Sequence, residues 1–408
     1  MLTKTDYKKV REIVFLKDVF FLSITAFGGP EMHIALFLKK LVHEKHYITE
    51  TDLLELNSLC QILPGPGSTQ TLTAVAHKIG GPRLALLALL IWILPATVLM
   101  SLFVITTALV NPEVFRFIGP MAVGFILTAA IKMTKLLKKG KLSVFLAITA
   151  AIISFIFHSP FAFPLLLLFG AIVNVNFGVK DFTPNTKPLL NIRWANLSLM
   201  LLILVTVALV GQFTRVNLPG ISQPTRLFEN IYRMGSMVFG GGSVLYSMML
   251  TEFVEFKKYL TLNEFQTGLG LLQAVPGPTF TIATFASGLA MKKMGYGTAG
   301  QMIGCGVGTI AIFLPGTLLI FFLYPIWNQV KTYPIVYRSL DGIIAVSIGF
   351  IWSAAAFMFV PYFDKSIVFD QNQLVSLMVF IVTMLYLHYS KLPAFILVIV
   401  TILTGFLL

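Results

Sequence analysis

The chain has 408 residues, of which 57% are hydrophobic and only 12% are charged, whereas a soluble domain is usually about 25% charged. So few charges cannot cover a soluble globule of this size, and several charge-free stretches are long enough to cross a hydrocarbon core of ~30 Å as helices. The net charge of +13 comes from basic residues in short loops between apolar segments, as in the cytoplasmic loops of membrane proteins. We therefore expect a multi-pass protein of the cytoplasmic membrane; a polybasic lipid or nucleic-acid site is the rival interpretation.

The chain divides into two sets of six apolar segments. The hydropathy pattern predicts helices near 15–43, 51–79, 82–110, 113–137, 142–158 and 161–177. A single connecting segment lies near 196–213, and six more lie near 226–254, 262–291, 297–327, 334–360, 372–388 and 392–408. We divide the chain accordingly into an N-terminal repeat (1–178), a connector with one transmembrane helix (179–225) and a C-terminal repeat (226–408).

The two repeats are related in sequence. One ungapped register, which we call the repeat register, aligns Phe27-Gly28-Gly29 with Phe239-Gly240-Gly241, and Pro64-Gly65-Pro66 with Pro276-Gly277-Pro278. It gives 14 identities over the 43 positions from Phe27 to Thr69. One connector crossing between two six-segment repeats places them in opposite orientations, as in many secondary transporters. The same parity holds if the first two segments of each repeat are re-entrant hairpins, so that alternative stays open.

Helix breakers lie near the centre of two segments in each repeat. Backbone groups freed by such breaks persist in a membrane only where protein, water or ligand satisfies them, and two prolines flanking a glycine cannot continue a helix. A half-helix that begins after a break directs free N–H groups and a positive dipole end at the gap, which suits an anion. Proline kinks and glycine packing notches are the alternative explanation of any single break.

Three charged or titratable residues stand close to these breaks. Glu31 follows the first break directly, and a buried, protonated Glu31 could couple a proton to anion movement; the alternative is a pair with a neighbouring Lys or His. His33 could bind an anion when charged or form hydrogen bonds between helices. Arg233 precedes the glycines of the second repeat by about two turns, so we expect it to compensate the charge of a dianion. Arg116 and Lys132 are further candidates, although snorkelling to the lipid headgroups explains them as well.

These motifs resemble those of the chromate ion transporter family in its long, two-half form. The resemblance lies in Phe27-Gly28-Gly29-Pro30 followed by His33, in Gln61, and in Leu63 to Gln70. The second half contributes Phe239 to Gly242 and Gln273 to Pro278. The resemblance implies export of chromate from the cytoplasm, in exchange with or in competition against sulfate, and hence chromate resistance.

Breaks and resemblance together define the substrate-binding residues that we expect. In the N-terminal repeat they are Phe27, Gly28, Gly29, Pro30, Glu31, His33, Gln61, Pro64, Gly65, Pro66, Gly67, Ser68, Thr69 and Gln70. In the C-terminal repeat they are Arg233, Gly240, Gly241, Gly242, Ser243, Gln273, Pro276, Gly277, Pro278, Thr279 and Thr281.

The sequence thus predicts an all-α polytopic membrane protein of two homologous six-segment halves in inverted orientation, with discontinuous or re-entrant helices. We expect a secondary active transporter of oxyanions, with chromate efflux as the favoured activity; a passive anion channel or a transporter of a different small anion are the alternatives. No P-loop, metal-ligand cluster or catalytic triad is recognisable, so we expect no enzyme, cofactor or metal. The expected partners are the oxyanion, the bilayer, a proton or counter-anion for coupling, and a second copy in a homodimer, but no nucleic acid.

Overall fold

The computed structural model describes residues 4–27, 29–107, 112–135, 137, 140–157, 159, 161–178, 194–217, 219–326, 334–360, 371–390 and 394–407. Over these residues the chain is helical and forms no β-strand. Among the described residues, four helical stretches are long and apolar enough to cross a membrane: Gly67–Thr106, Glu113–Thr134, Thr279–Ile326 and Arg338–Phe359. These findings confirm the predicted all-helical polytopic class.

The described residues of the N-terminal half form seven α-helices. They are α1 (Lys4–Thr25), α2 (Gly29–Phe37) with a π-helical turn at Leu38–Glu44, α3 (Glu50–Ile62), α4 (Gly67–Thr106), a 3₁₀ turn at Pro112–Phe115, α5 (Ile118–Thr134), α6 (Lys141–Phe157) and α7 (Ala162–Phe177). The connector helix is α8 (Ala195–Asn217).

The C-terminal half repeats this order. It contains α9 (Pro219–Met237), α10 (Gly242–Met249) with a π-helical turn at Leu250–Phe256, α11 (Leu262–Leu272), a 3₁₀ turn at Thr279–Thr281, and α12 (Ile282–Met291) with a π-helical turn at Lys292–Tyr296. There follow α13 (Gly297–Leu323), a 3₁₀ turn at Tyr324–Ile326, α14 (Pro334–Phe359), α15 (Gln371–Tyr389) and α16 (Phe395–Leu407).

All four predicted helix interruptions are present. We name them in chain order: the first break lies between α1 and α2 (26–28), the second between α3 and α4 (63–66), the third between α9 and α10 (238–241), and the fourth after α11 (273–278). The discontinuous helices are therefore confirmed. The predicted segments 51–79 and 82–110 instead run into one another through α4, which bends at Gly81, where φ is +77° and Pro82 follows.

The duplication extends to backbone conformation at the start of α3 and α11. Thr49 caps α3 by accepting from the Asp52 N–H, and Thr261, its equivalent in the repeat register, caps α11 through a reciprocal pair of bonds with Glu264. In the described chain, His46 and Lys258 are the non-glycine residues with positive φ, and the repeat register aligns these two as well. Because a positive φ is strained for such residues, its recurrence at equivalent positions shows that both halves keep the same local fold.

The two halves interlock through their later helices. Helix α14 of the C-terminal half packs against α6 and α7 of the N-terminal half, while α5 packs against α15 and α16. Small residues permit the close approach: Gly170 of α7 lies against Gly342 of α14, and Gly124 of α5 lies against Thr383 of α15. Packing of this kind drives helix association in membranes, so each half completes its core with helices of the other.

Candidate functional site

Two main-chain hydrogen bonds join the breaks of opposite halves. The Gly65 N–H of the second break donates to the Val238 carbonyl of the third break at 2.7 Å, and the Gly277 N–H of the fourth break donates to the Ala26 carbonyl of the first break at 2.8 Å. The repeat register aligns the two donors with each other and the two acceptors with each other, so one bond is the repeat equivalent of the other. This reciprocity is what an approximate twofold relation between the halves requires.

Contacts within each half join its two breaks to each other. In the N-terminal half, His33 of α2 lies 3.0 Å from the Ser68 hydroxyl at the start of α4. In the C-terminal half, Gly242 at the start of α10 lies against the side chain of Thr279. Each break therefore touches one break of its own half and one of the other, and all four meet in a single region, which we call the central breaks.

Glycine is required where the cross-half bonds form. Gly65 has φ +121° and Gly277 has φ +103°, values that other residues adopt only with strain. A Cβ at Gly65 would lie 2.9 Å from Nε2 of Gln70, and a Cβ at Gly277 would lie 3.3 Å from the Ala96 side chain. The chain thus cannot carry a larger side chain there without moving the neighbouring helices.

Two helix positions outside the sequence motifs support the central breaks. Ala96 of α4 faces Gly277, and Gly316 of α13 faces Gly65. Both follow a proline inside their helix, in Leu94-Pro95-Ala96-Thr97 and Leu314-Pro315-Gly316-Thr317. Comparison of the later segments of the two halves would have revealed this repeated Leu-Pro-small-Thr sequence, which the ungapped repeat register does not align.

Helix N-termini supply the donors at the central breaks. Helices α2, α4 and α10 and the 3₁₀ turn at Thr279–Thr281 all begin there, and the first N–H groups of a helix have no partner within it. The Thr281 hydroxyl already donates to the Pro278 carbonyl at 2.8 Å, whereas the Thr69 hydroxyl accepts from the Trp92 indole at 3.2 Å and keeps its own proton. The donors that an anion could meet here are therefore main-chain N–H groups and the Thr69 hydroxyl.

Two further hydroxyls near the breaks lack a partner in the described part of the chain. Ser347 of α14 is completely buried, and its Cβ lies 3.7 Å from where a side chain would start at Gly240. Thr97 of α4 follows Ala96, the residue that faces Gly277, and its Oγ1 is buried. A buried hydroxyl without a partner is costly, so both are candidate ligands that the sequence motifs did not indicate.

His33 forms hydrogen bonds between helices, in agreement with one of its two sequence interpretations. Its Nε2 lies 3.3 Å from the Ala26 carbonyl, and its Nδ1 lies 3.0 Å from the Ser68 hydroxyl. A carbonyl only accepts, so Nε2 carries the proton and the Ser68 hydroxyl donates to Nδ1. The buried ring also packs edge-on against Trp92 with ring centres 5.2 Å apart. His33 thus fixes the first break against the start of α4.

Gln70 stabilises the second break. Its side-chain amide donates to the Pro64 carbonyl at 2.9 Å and to the Gly316 carbonyl at 3.2 Å, which lies in the other half. Its Oε1 is buried without a partner among the described residues. The equivalent residue in the C-terminal half is Ile282, so the amide serves one side of the site only.

Arg233 is already paired with two carboxylates. Its Nε lies 3.2 Å from Oε1 of Glu229, and its Nη2 lies 3.1 Å from Oε2 of Glu252, which is only 2% exposed. The charge that we expected to compensate a dianion is therefore balanced within the protein. Equivalent positions in the N-terminal half hold Lys17, Phe21 and Lys40, so this ion-pair cluster belongs to one half.

The remaining residues of the predicted site have varied surroundings. Phe27 packs against Phe395 with ring centres 5.1 Å apart, and Gln61 is exposed. The Gln273 amide donates to the Leu269 carbonyl of its own helix at 3.4 Å, and the Ser243 carbonyl accepts from Ser247. Gly28 and the side chain of Glu31 lie outside the described residues. The others form the breaks and helix starts themselves: Gly29, Pro30, Pro66, Gly67, Gly240, Gly241, Pro276 and Pro278.

Comparison with known proteins agrees with the resemblance seen in the motifs. A family model described as "Chromate transporter" matches residues 14–175 and 225–406. The chain is 26% identical to an uncharacterized transporter of Methanocaldococcus jannaschii over 396 residues, which cover 95% of this chain and 92% of the relative.

Two further relatives are named chromate transport proteins. That of Cupriavidus metallidurans is 26% identical over 346 residues, covering 82% of this chain and 79% of its own, and that of Pseudomonas aeruginosa is 23% identical over 351 residues, covering 80% and 76%. No solved structure matches the chain. Because the family model covers well over half of the chain in two stretches, each containing two of the central breaks, this protein belongs to the chromate transporter family.

Proposed function

We propose that the protein is a secondary active transporter of the cytoplasmic membrane that exports chromate, and that it binds the anion at the central breaks. The observation that carries this proposal is the meeting of four helix breaks through two equivalent cross-half hydrogen bonds, Gly65 to Val238 and Gly277 to Ala26. A family whose relatives include two named chromate transport proteins supports an oxyanion as the substrate.

The chemistry of the site suits reversible binding of a dianion. Helix N-termini stabilise negative charge through oriented N–H groups and the positive end of the helix dipole. The nearest arginine of the predicted set, Arg233, is held by Glu229 and Glu252. A site built from neutral donors binds the anion without a fixed opposite charge, so the anion can leave again when the surrounding helices move.

The approximate twofold relation offers a route for alternating access. Inverted repeats can exchange conformations, which opens one central site to either side of the membrane in turn. Here each cross-half bond links a break of one half to a break of the other half. A movement of one half is therefore transmitted to the breaks of both halves. The inverted orientation of the halves and the division at residues 178 and 226 remain predictions.

Selection of chromate over sulfate requires more than these donors. Both are tetrahedral dianions of similar size, and N–H groups at helix ends discriminate them weakly. The buried hydroxyls of Ser347 and Thr97 are the side chains best placed to adjust the pocket, since neither has a partner in the described chain. The coupling ion is a proton carried by Glu31 or a counter-anion moving in exchange.

Flux measurements on purified protein in liposomes test the proposal. We expect saturable chromate uptake that sulfate and molybdate inhibit more strongly than phosphate, and that depends on a pH gradient or on a counter-anion inside. Liposomes without protein are the control. Absence of chromate and sulfate flux would refute the substrate, whereas ohmic anion conductance in a planar bilayer without any counter-ion would favour the channel.

A further inference from the structure

A cavity of about 680 Å³ lies at the interface of the two halves. It is bounded by the first two turns of α11, by the end of α12 with its π-helical turn, and by residue 107 and residues 113–119 near the end of α4 and the start of α5. Its lining comprises Thr107, Glu113, Phe115, Arg116, Gly119, Asn263, Glu264, Gln266, Thr267, Phe285, Leu289, Lys292 and Lys293. Asn263 lies in the first turn of α11, about 14 Å along that helix from the fourth break.

The charges around this cavity leave an excess of positive charge. Arg116, Lys292 and Lys293 face Glu113 and Glu264 across it. Lys293 pairs with Glu264 at 2.8 Å, and Arg116 lies 3.6 Å from Glu113. Within the described residues, the exposed Lys292 makes no ion pair. Lys292 is thus available to a negatively charged ligand, and Arg116 adds a positive charge that it shares with Glu113.

Neutral donors accompany these cations. Asn263 and Gln266 present amide groups from one face of α11, because residues three apart on a helix are neighbours. The Thr267 hydroxyl already donates to the Asn263 carbonyl at 2.8 Å. The amide groups replace part of the hydration shell of an oxyanion without fixing it by charge alone. The cavity therefore combines polar and cationic groups that suit a weakly bound anion with an apolar lining that includes Phe115, Phe285 and Leu289.

The inner wall of the cavity stands next to the central breaks. Phe285 lines the cavity and is 1% exposed. It lies on α12 three residues, or about one turn, after Ile282, where the helix begins beyond the fourth break. Its ring packs against Gly268 of α11, where a Cβ would lie 2.5 Å from Cδ1 of the ring. Phe285 is thus the lining residue of the cavity that lies about one helical turn from the fourth break.

We infer that this cavity is a vestibule in which a hydrated oxyanion binds loosely before it passes Phe285 to reach the central breaks. The inference rests on the proposed function, and it adds a second, peripheral anion site with Lys292 and Arg116 as its cationic groups. A phosphate headgroup of an anionic lipid shares the chemistry of this site, so the test separates the two sources.

Substitution of the cations tests the vestibule in phosphatidylcholine liposomes. We expect Lys292→Gln and Arg116→Gln each to raise the KM for chromate about fivefold with little change in Vmax, because they weaken electrostatic capture and not the central site. The rise of KM with ionic strength should be smaller in both variants than in the unmodified protein. Lys135→Gln, an exposed lysine at the end of α5, is the matched control and should leave KM unchanged.

Binding without transport distinguishes this inference from the proposed function. In the Gly277→Leu variant, whose central site is disrupted, radiolabelled sulfate should still bind weakly, and adding Lys292→Gln should abolish that binding. An unchanged KM in both cation variants, or an effect of Lys292→Gln seen only when phosphatidylglycerol is present, would overturn the vestibule. Absence of flux in the unmodified protein together with Lys292-dependent sulfate binding would refute transport and leave the vestibule standing.

Discussion

At the scale of single residues, the central breaks contain polar side chains whose roles the sequence could only partly indicate. His33 and Arg233 lie in or near conspicuous glycine motifs; His33 had two interpretations, and Arg233 was expected to compensate the charge of a dianion. In the structure, His33 forms a hydrogen bond between helices, and Arg233 forms ion pairs with two carboxylates. Glu229 precedes Arg233 by one helical turn and could have been recognised as its partner. Glu252 could not, because only the fold brings it beside Arg233.

Removal of Arg233 should destabilise the protein. Arg233→Gln leaves Glu229 and the buried Glu252 without their shared cation, and loss of one partner of a buried ion pair typically costs about 3–5 kcal/mol. We expect a clearly lower midpoint in thermal unfolding of the detergent-purified protein. Lys258→Gln, which alters an exposed lysine of the same half, is the control. A melting temperature equal to that of the control would show that the cluster contributes nothing to stability.

Loss of the Ser347 hydroxyl should weaken anion binding. One hydrogen bond to a charged group contributes about 1.5–3 kcal/mol, so Ser347→Ala should raise the KM for chromate by roughly tenfold or more while the protein stays folded. Ser353→Ala, at another buried serine of α14, should have a small effect. Equal KM values for the two variants would remove Ser347 from the site.

Glu31→Gln tests proton coupling. A carboxyl group that carries a proton with each cycle loses this capacity as an amide, so the pH profile of chromate transport should become flatter. Glu44→Gln, on the exposed π-helical turn that follows α2, serves for comparison. A pH profile identical to that of the unmodified protein would leave a counter-anion as the coupling ion.

At the scale of elements, the breaks could be predicted and their supporting helices could not. Glycine and proline in matched positions identify an interruption because they act on the backbone locally. The bend of α4 at Gly81, and the contacts of Ala96 and Gly316 with Gly277 and Gly65, depend on which helices pass beside the breaks. That arrangement follows from packing between the halves, which no local pattern encodes.

Replacement of the glycines at the cross-half bonds should abolish transport. Gly65→Leu and Gly277→Leu combine a strained backbone with a side chain directed at Gln70 or Ala96, so we expect chromate flux to fall below a few per cent of the original while the protein remains in the membrane. Gly306→Leu is the matched control, since nothing lies within 4 Å of a Cβ at that helical glycine of α13. Normal flux in both break variants would separate the breaks from the function.

At the scale of the whole molecule, the repeat predicted two equivalent halves but not how closely they interlock. Helix α14 packs on α6 and α7, and α5 packs on α15 and α16, so the halves share helices across their interface. The sequence contains the small residues that allow this, such as Gly170 and Gly342. It does not show which glycine faces which.

The two halves should therefore function only together. When residues 1–190 and 191–408 are produced as separate chains, each lacks the partner helices that cover α5 or α14, and we expect neither to confer chromate resistance on a sensitive host. Co-expression should restore part of the resistance and allow co-purification. Resistance from either fragment alone would contradict an interlocked structure.

The bonds from Gly65 to Val238 and from Gly277 to Ala26 join peptide groups and involve no side-chain atom. The bonds themselves therefore require no particular side chain, so side chains of the duplicated halves can diverge while the main-chain junction is kept. Gln70 lies beside the junction in the N-terminal half, and Ile282 occupies the equivalent position in the C-terminal half. The ion-pair cluster of Arg233 lies in the C-terminal half, and Phe21 occupies the equivalent position in the N-terminal half. A gene duplication can in this way produce two halves whose side chains differ although their main-chain junction remains equivalent.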